Sequence, residues 1–143
     1  MGIKQLTVFV ENRCGSLAKV TDLLAEHQID IRALSLADTK EFGLLRLIVN
    51  QAETACSVLR ENGILVQITE VMGVKLSDRP GELSDVLSAL DEAKMNVEYL
   101  YAFLTRTEKS AYVVLRVEDN TAATDVLTKA GFGIVSEKDV EAL

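Results

Sequence analysis

The sequence predicts an α+β fold made of two small β-α-β-β-α-β units in tandem, and three observations predict it. The first is self-similarity. Moving residues 11–36 forward by 66 positions lays Arg13 on Arg79, Gly15 on Gly81, Leu17 on Leu83, Val20 on Val86, Leu24 on Leu90, Glu26 on Glu92 and Leu34 on Leu100. With two further residues in the second copy, a shift of 68 lays Leu47 on Leu115, Val49 on Val117, Ala55 on Ala123, Val58 on Val126, Leu59 on Leu127 and Gly63 on Gly131. A fixed repeat period marks copies of one supersecondary block. The second observation is that strand-like and helical periods alternate along each copy. The third is a polar loop with glycine, "ENRCGSL" and then "SDRPGEL", placed each time behind a strand-like run and ahead of a helical one.

The elements follow in order. "KQLTVFV" alternates with period two, as a half-buried strand does. "SLAKVTDLLAEH" carries Leu17, Val20, Leu23 and Leu24 at helical spacing, a stripe that faces a core. "IDIRALSLA" returns to strand, and the charged "DTKE" reads as a hairpin connection. "FGLLRLIVN" is a strong β run, and "AETACSVLREN" a helix stopped by Gly63 in a C-cap position. "ILVQITEV" closes the first unit, and the second half repeats the order. This order is the ferredoxin-like split βαβ arrangement, an antiparallel sheet with two helices on one face.

No Pro/Ser/Gly-rich linker separates the halves. "ITEVMGVKL" runs from the last strand of one to the first strand of the next, with Gly73 as the one candidate joint, which divides the chain into residues 1–71 and 72–143. A unit of about 70 residues buries a modest fraction of its surface and gains by packing against its twin. In "VEYLYAFL" and "LLRLIV" both strand faces are apolar, so the face away from the helices needs a cover. The expectation is two units packed side by side, and a homodimer that covers further sheet surface.

Composition excludes several classes. The chain has 143 residues, 48% hydrophobic and 26% charged, the profile of a soluble globular protein. No apolar run approaches the ~20 residues that span a bilayer, so no membrane is expected. "MGIKQLTVFV" reads as a first strand rather than a signal peptide. Cys14 and Cys56 form neither a disulfide framework nor a metal set, which points to a reducing cytoplasm. The net charge of −7 argues against nucleic acid as a partner. No nucleophile–base pair, P-loop or dinucleotide fingerprint is present, so no enzyme, cofactor or metal is expected.

The doubled loop is the candidate site. Its helices are expected to begin near Ser16 and near Pro80, a residue suited to a first helical turn. The first amides of a helix lack internal acceptors and carry partial positive charge, which favours an anion. Gly15 and Gly81 allow close approach to the backbone, and Asn12 and Asp78 could receive an ammonium group. A small zwitterion needs that combination. The same loop is also ordinary turn and cap chemistry, with Asn12 or Asp78 as caps and Arg13 and Arg79 as solvated charges.

The whole chain resembles a pair of ACT domains, βαββαβ amino-acid-sensing modules attached to many enzymes of amino-acid metabolism. "ENRCGSL" and "SDRPGEL" match that family's (D/N)-R-P-G-x-L loop, and "HQIDIRALSL" and "AKMNVEYLYA" match its helix end and (V/I)-(N/D)-(I/V) second strand. Cys14 stands where the family usually has Pro. The resemblance implies a ligand between two modules, with the loop of one facing the second strand of its neighbour. One pocket then pairs Asn12, Arg13, Cys14, Gly15, Ser16 and Leu17 with Asn96 and Val97. The other pairs Asp78, Arg79, Pro80, Gly81, Glu82 and Leu83 with Asp30 and Ile31. The first offers two neutral carboxamides and suits a neutral free amino acid. The second gathers Asp78, Glu82 and Asp30, which repel one another unless a cation enters, so it is expected either to stay empty or to favour a basic or amine-rich ligand.

Other groups read as structural. His27, the one histidine, sits at a helix end, where a solvated imidazole is ordinary. Cys14 at a helix N-terminus fills a turn, with no second cysteine or histidine nearby in sequence. The function expected is a non-catalytic sensor binding an amino acid, with an enzyme of amino-acid metabolism as a candidate partner. The alternative is an interaction scaffold, or a subunit of such an enzyme without its own ligand. An acylphosphatase-like hydrolase fits "VENRCGS" poorly, and an RNA reader lacks its aromatics and basic face.

Overall fold

A computed structural model of the chain describes residues 2–38, 41–104 and 110–143. The first unit comprises β1 (Ile3–Glu11), α1 (Ser16–Glu26), β2 (Ile31–Asp38), β3 (Phe42–Val49), α2 (Ala52–Glu61) and β4 (Val66–Ser77). The second continues through α3 (Glu82–Glu92), β5 (Val97–Ala102), β6 (Ser110–Val117), α4 (Asn120–Lys129), β7 (Gly133–Val135) and α5 (Glu137–Ala142). The connections read from "DTKE" and "FLTRTEKS" include residues 39–40 and 105–109, which lie outside the described residues.

One strand serves both units. The first half of β4 pairs antiparallel with β1, from Val8 opposite Val66 to Ile3 opposite Val71. The second half pairs with β6, from Met72 opposite Leu115 to Ser77 opposite Ser110, while β7 pairs with Gly73 to Lys75. The result is one continuous sheet in the order β2-β3-β1-β4-β6-β5. It curls until its two ends meet, where Ala33 bridges Phe103 and the Leu104 N–H donates to the Arg32 carbonyl at 2.8 Å.

Period-two alternation sends side chains to opposite faces, and both faces are filled. Outside, Leu6, Val8, Leu45 and Leu47 pack under Val20 and Leu24 of α1 and Leu59 of α2. The equivalent outer core of the second unit joins Met72, Val74 and Leu115 to Val86, Leu90 and Leu127. Inside the curl, Ile3, Ala33, Ile48, Val71, Tyr101, Phe103, Val114 and Val135 form a third core. The apolar inner faces of the strands therefore cover each other. Gly73 sits here because there is no room for more: an added Cβ would lie 2.8 Å from that of Val135 and 3.2 Å from the Ile3 Cδ1.

A polar group lies within this inner layer. Gln5 is fully buried; the Tyr101 hydroxyl donates to its Oε1 at 2.6 Å, and its Nε2 donates to the Tyr99 hydroxyl at 2.9 Å and to Thr7 Oγ1 at 3.0 Å. The Arg46 guanidinium lies 3.8 Å above the Tyr99 ring. Burial, then the neighbouring Tyr99, pushes the Tyr101 phenol well above its usual range, so it remains a donor.

Three features differ from the sequence reading. The helix α3 begins at Glu82, which leaves Pro80 in the turn ahead of it. The last strand is cut to three residues, Gly133–Val135. It is followed by α5, opened by a capping box in which Ser136 Oγ accepts from the Asp139 N–H and Asp139 accepts from the Ser136 N–H. Val140 of α5 joins the inner core, and Arg32 holds the helix end by donating to the Val140 and Glu141 carbonyls, each at 3.0 Å.

Candidate functional site

The two turns share one backbone. Gly15 and Gly81 adopt φ of 88° and 90°, the left-handed region that favours glycine, and each stands immediately before a helix. The Arg13 N–H donates to the Glu11 carbonyl at 2.8 Å, and the Arg79 N–H to the Ser77 carbonyl at 2.9 Å. One turn later, Lys19 N–H donates to Gly15 O at 3.0 Å and Asp85 N–H to Gly81 O at 2.9 Å. No side chain caps either helix, so Asn12 and Asp78 do not act as caps. Among the described residues, the N–H groups of Leu17 and Ala18, and of Leu83 and Ser84, have no protein acceptor. Cys14 replaces Pro80 without altering this geometry.

Their surroundings differ. The first turn opens onto a cavity of about 500 Å³ lined by Glu11, Arg13, Cys14, Gly15, Ser16 and Lys19 on one side. Phe9, Phe42, Ile64 and Leu65 supply an apolar wall, and Leu65 is 64% exposed. Arg13 turns back to Glu11 at 2.9 Å. At the second turn, Arg79 Nη2 lies 2.7 Å from Glu82 and 3.0 Å from Asp85, and the Ser77 N–H donates to Glu82 Oε1 at 3.3 Å. The cation that Asp78, Glu82 and Asp30 were expected to need is thus supplied in part by the chain itself. Asp30 pairs with Arg32, and its N–H donates to Asn50 Oδ1 at 2.9 Å.

The structure gathers Arg13, Cys14, Gly15 and Ser16 in one cavity, while Asn12 and Leu17 are exposed beside it. Asn96 lines a different cavity with Glu70, Lys94, Arg116 and Asn120. Among the described residues, no hydrogen bond or ion pair joins residues 12–17 to Asn96 or Val97, or residues 78–83 to Asp30 or Ile31. Sequence reasoning missed Glu11, Lys19, Phe42 and Leu65. Lys19 was legible as the residue one helical turn beyond Ser16. Phe42 and Leu65 reach the site only through the register of β3 on β1 and the approach of the segment after α2. Among the described residues there is no cluster of metal-ligating side chains and no helix long and apolar enough to cross a membrane.

Two glycine turns at helix starts, on ferredoxin-like units fused through one strand, define a paired ACT architecture. Residues 1–143 match the family described as an ACT domain pair, and the chain belongs to that family. Protein BT0572 from Bacteroides thetaiotaomicron is 34% identical over 100% of this chain and 98% of its own, with a TM-score of 0.93. The regulatory subunit of aspartate kinase from Thermus thermophilus, in its ligand-free form, is 18% identical over 92% of this chain and 94% of its own, with a TM-score of 0.66. Its counterpart from Thermus flavus is 17% identical over 91% and 93%, with a TM-score of 0.61. These two likenesses are of fold. No curated protein matches the sequence.

Proposed function

We propose that the chain is a non-catalytic, cytoplasmic regulatory protein of two units, residues 1–71 and 72–143, that binds a small neutral amino acid at the first turn. The cavity beside Gly15 carries this reading. The N–H groups of Leu17 and Ala18, which have no protein acceptor beside the cavity, and the Lys19 ammonium suit a carboxylate, Glu11 suits an ammonium, and Phe9, Phe42, Ile64 and Leu65 suit an apolar side chain. Membership of the ACT domain pair family and the change of partner within β4 support the division into two units. A pocket that also uses Asn96 and Val97 needs a second copy of the chain, and we propose a homodimer on that ground. An enzyme of amino-acid metabolism is the partner such a sensor would report to, through a packing favoured by the bound state.

Thermal unfolding in the presence of each standard amino acid tests the reading. A ligand at about 100 times its dissociation constant adds about 2.7 kcal/mol of stability, a readily measured rise in midpoint. The scaffold reading has one observation in its favour: Leu34, Leu36, Leu100 and Leu104 are exposed near the meeting of β2 and β5. It is the reading to adopt if no amino acid shifts the midpoint.

A further inference from the structure

We infer that the second turn is closed by its own side chains and takes no ligand, so that each chain binds a single ligand, at the first turn; the inference rests on the ligand reading given above. The repeat register makes the comparison residue by residue. Glu11, Arg13, Ser16 and Lys19 line the open cavity, and a shift of 66 lays them on Ser77, Arg79, Glu82 and Asp85. Those four residues are the ones cross-linked in the second unit. Glu82 reaches back from the helix start to the Ser77 N–H at 3.3 Å, and Arg79 Nη2 bridges Glu82 at 2.7 Å and Asp85 at 3.0 Å. The bridge thus joins positions whose counterparts line the open cavity of the first unit.

Burial and charge say the same. The Glu82 side chain is only 12% exposed, although it begins a surface helix. A free carboxylate arriving there would compete with Glu82 and Asp85 for one arginine. At the first turn the corresponding residues are Ser16, which is short and neutral, and Lys19, a cation. No bridge can form between them, and Arg13 turns instead toward Glu11 on the strand side. Two exchanges, Ser16 for Glu82 and Lys19 for Asp85, thus separate an open turn from a closed one on the same backbone.

The test is an acetate titration of the full chain followed by backbone amide resonances. In the unaltered protein Leu17 and Ala18 shift and Leu83 and Ser84 do not. In Glu82→Ala, and more strongly in the double variant Glu82→Ser, Asp85→Lys, Leu83 and Ser84 shift as well. The single variant keeps the experiment decisive should the double variant unfold. Shifts of Leu83 and Ser84 in the unaltered chain equal to those of Leu17 and Ala18 would overturn the inference, as would silence of Leu83 and Ser84 in a folded variant. A silent first turn beside a second turn opened by Glu82→Ala would remove the ligand reading and leave the closure standing.

Discussion

The turn from Glu11 to Leu17 and the turn from Ser77 to Leu83 match in hydrogen bonding and in the left-handed glycine before the helix. One faces a cavity with apolar walls, and the other is crossed by a bridge of one arginine and two carboxylates. The comparison separates two properties that sequence motifs run together. The glycine and the strand-to-helix geometry set the backbone. The residues at the first and fourth positions of the helix, Ser16 and Lys19 against Glu82 and Asp85, set what the backbone can receive. A loop motif is thus evidence for a shape, and a ligand needs the flanking helix as well.

The largest expected effect breaks the comparison by separating the halves. Ile48 is fully buried in the inner core that both units share. Ile48→Ala should cost about 2–5 kcal/mol, read from urea unfolding. The account expects one transition, displaced as a whole; two transitions would mean that the halves fold independently despite their common strand. Next come Gly15→Ala and Gly81→Ala. An added Cβ meets nothing within 4 Å at either position, so the cost is backbone strain alone, about 1–2 kcal/mol and equal in the two turns. Unequal costs would show that the turns differ in backbone after all.

Much of the fold was legible, and the exceptions have physical reasons. The repeat placed both helices of each unit, and the lack of a linker at "ITEVMGVKL" became a single strand, β4. The helix start at Glu82 was set two residues early because proline tolerates a first helical position as readily as the turn before it. Gln5 is a polar member of the alternating run "KQLTVFV" and is fully buried, because Tyr99 and Tyr101 of the other unit cover that face. Alternation shows that a strand has two faces and says nothing of what lies over each. The α5 helix had a readable signal in Ser136 and Asp139, spaced as a capping box, but followed a strand too short to announce. At the site, the loops were legible and their walls were not, since Phe42 and Leu65 arrive through tertiary approach.

Smaller effects sharpen the contrast. Arg79→Ala should destabilise by up to about 1 kcal/mol, because it releases two carboxylates, whereas Arg13→Ala should be near neutral, because both it and Glu11 are largely solvated. Chemical denaturation of the pair measures the difference. The smallest effect concerns α5. The Ser136 N–H, then the Ser136 hydroxyl, hold the Asp139 carboxyl below its usual value, so its contribution is complete above the ordinary carboxylate pKa of about 3.9 and fades as pH falls through the depressed one. Asp139→Asn should lower stability slightly at neutral pH, leave it almost unchanged below the depressed pKa, and so flatten the acid arm of the profile.

Thermal unfolding of the unaltered chain and of Lys19→Glu, each with every standard amino acid in turn, addresses the first turn most directly. The account predicts that at least one neutral, apolar amino acid raises the midpoint of the unaltered chain and that the rise vanishes in Lys19→Glu. A screen without any rise, or a rise that survives Lys19→Glu, would contradict it.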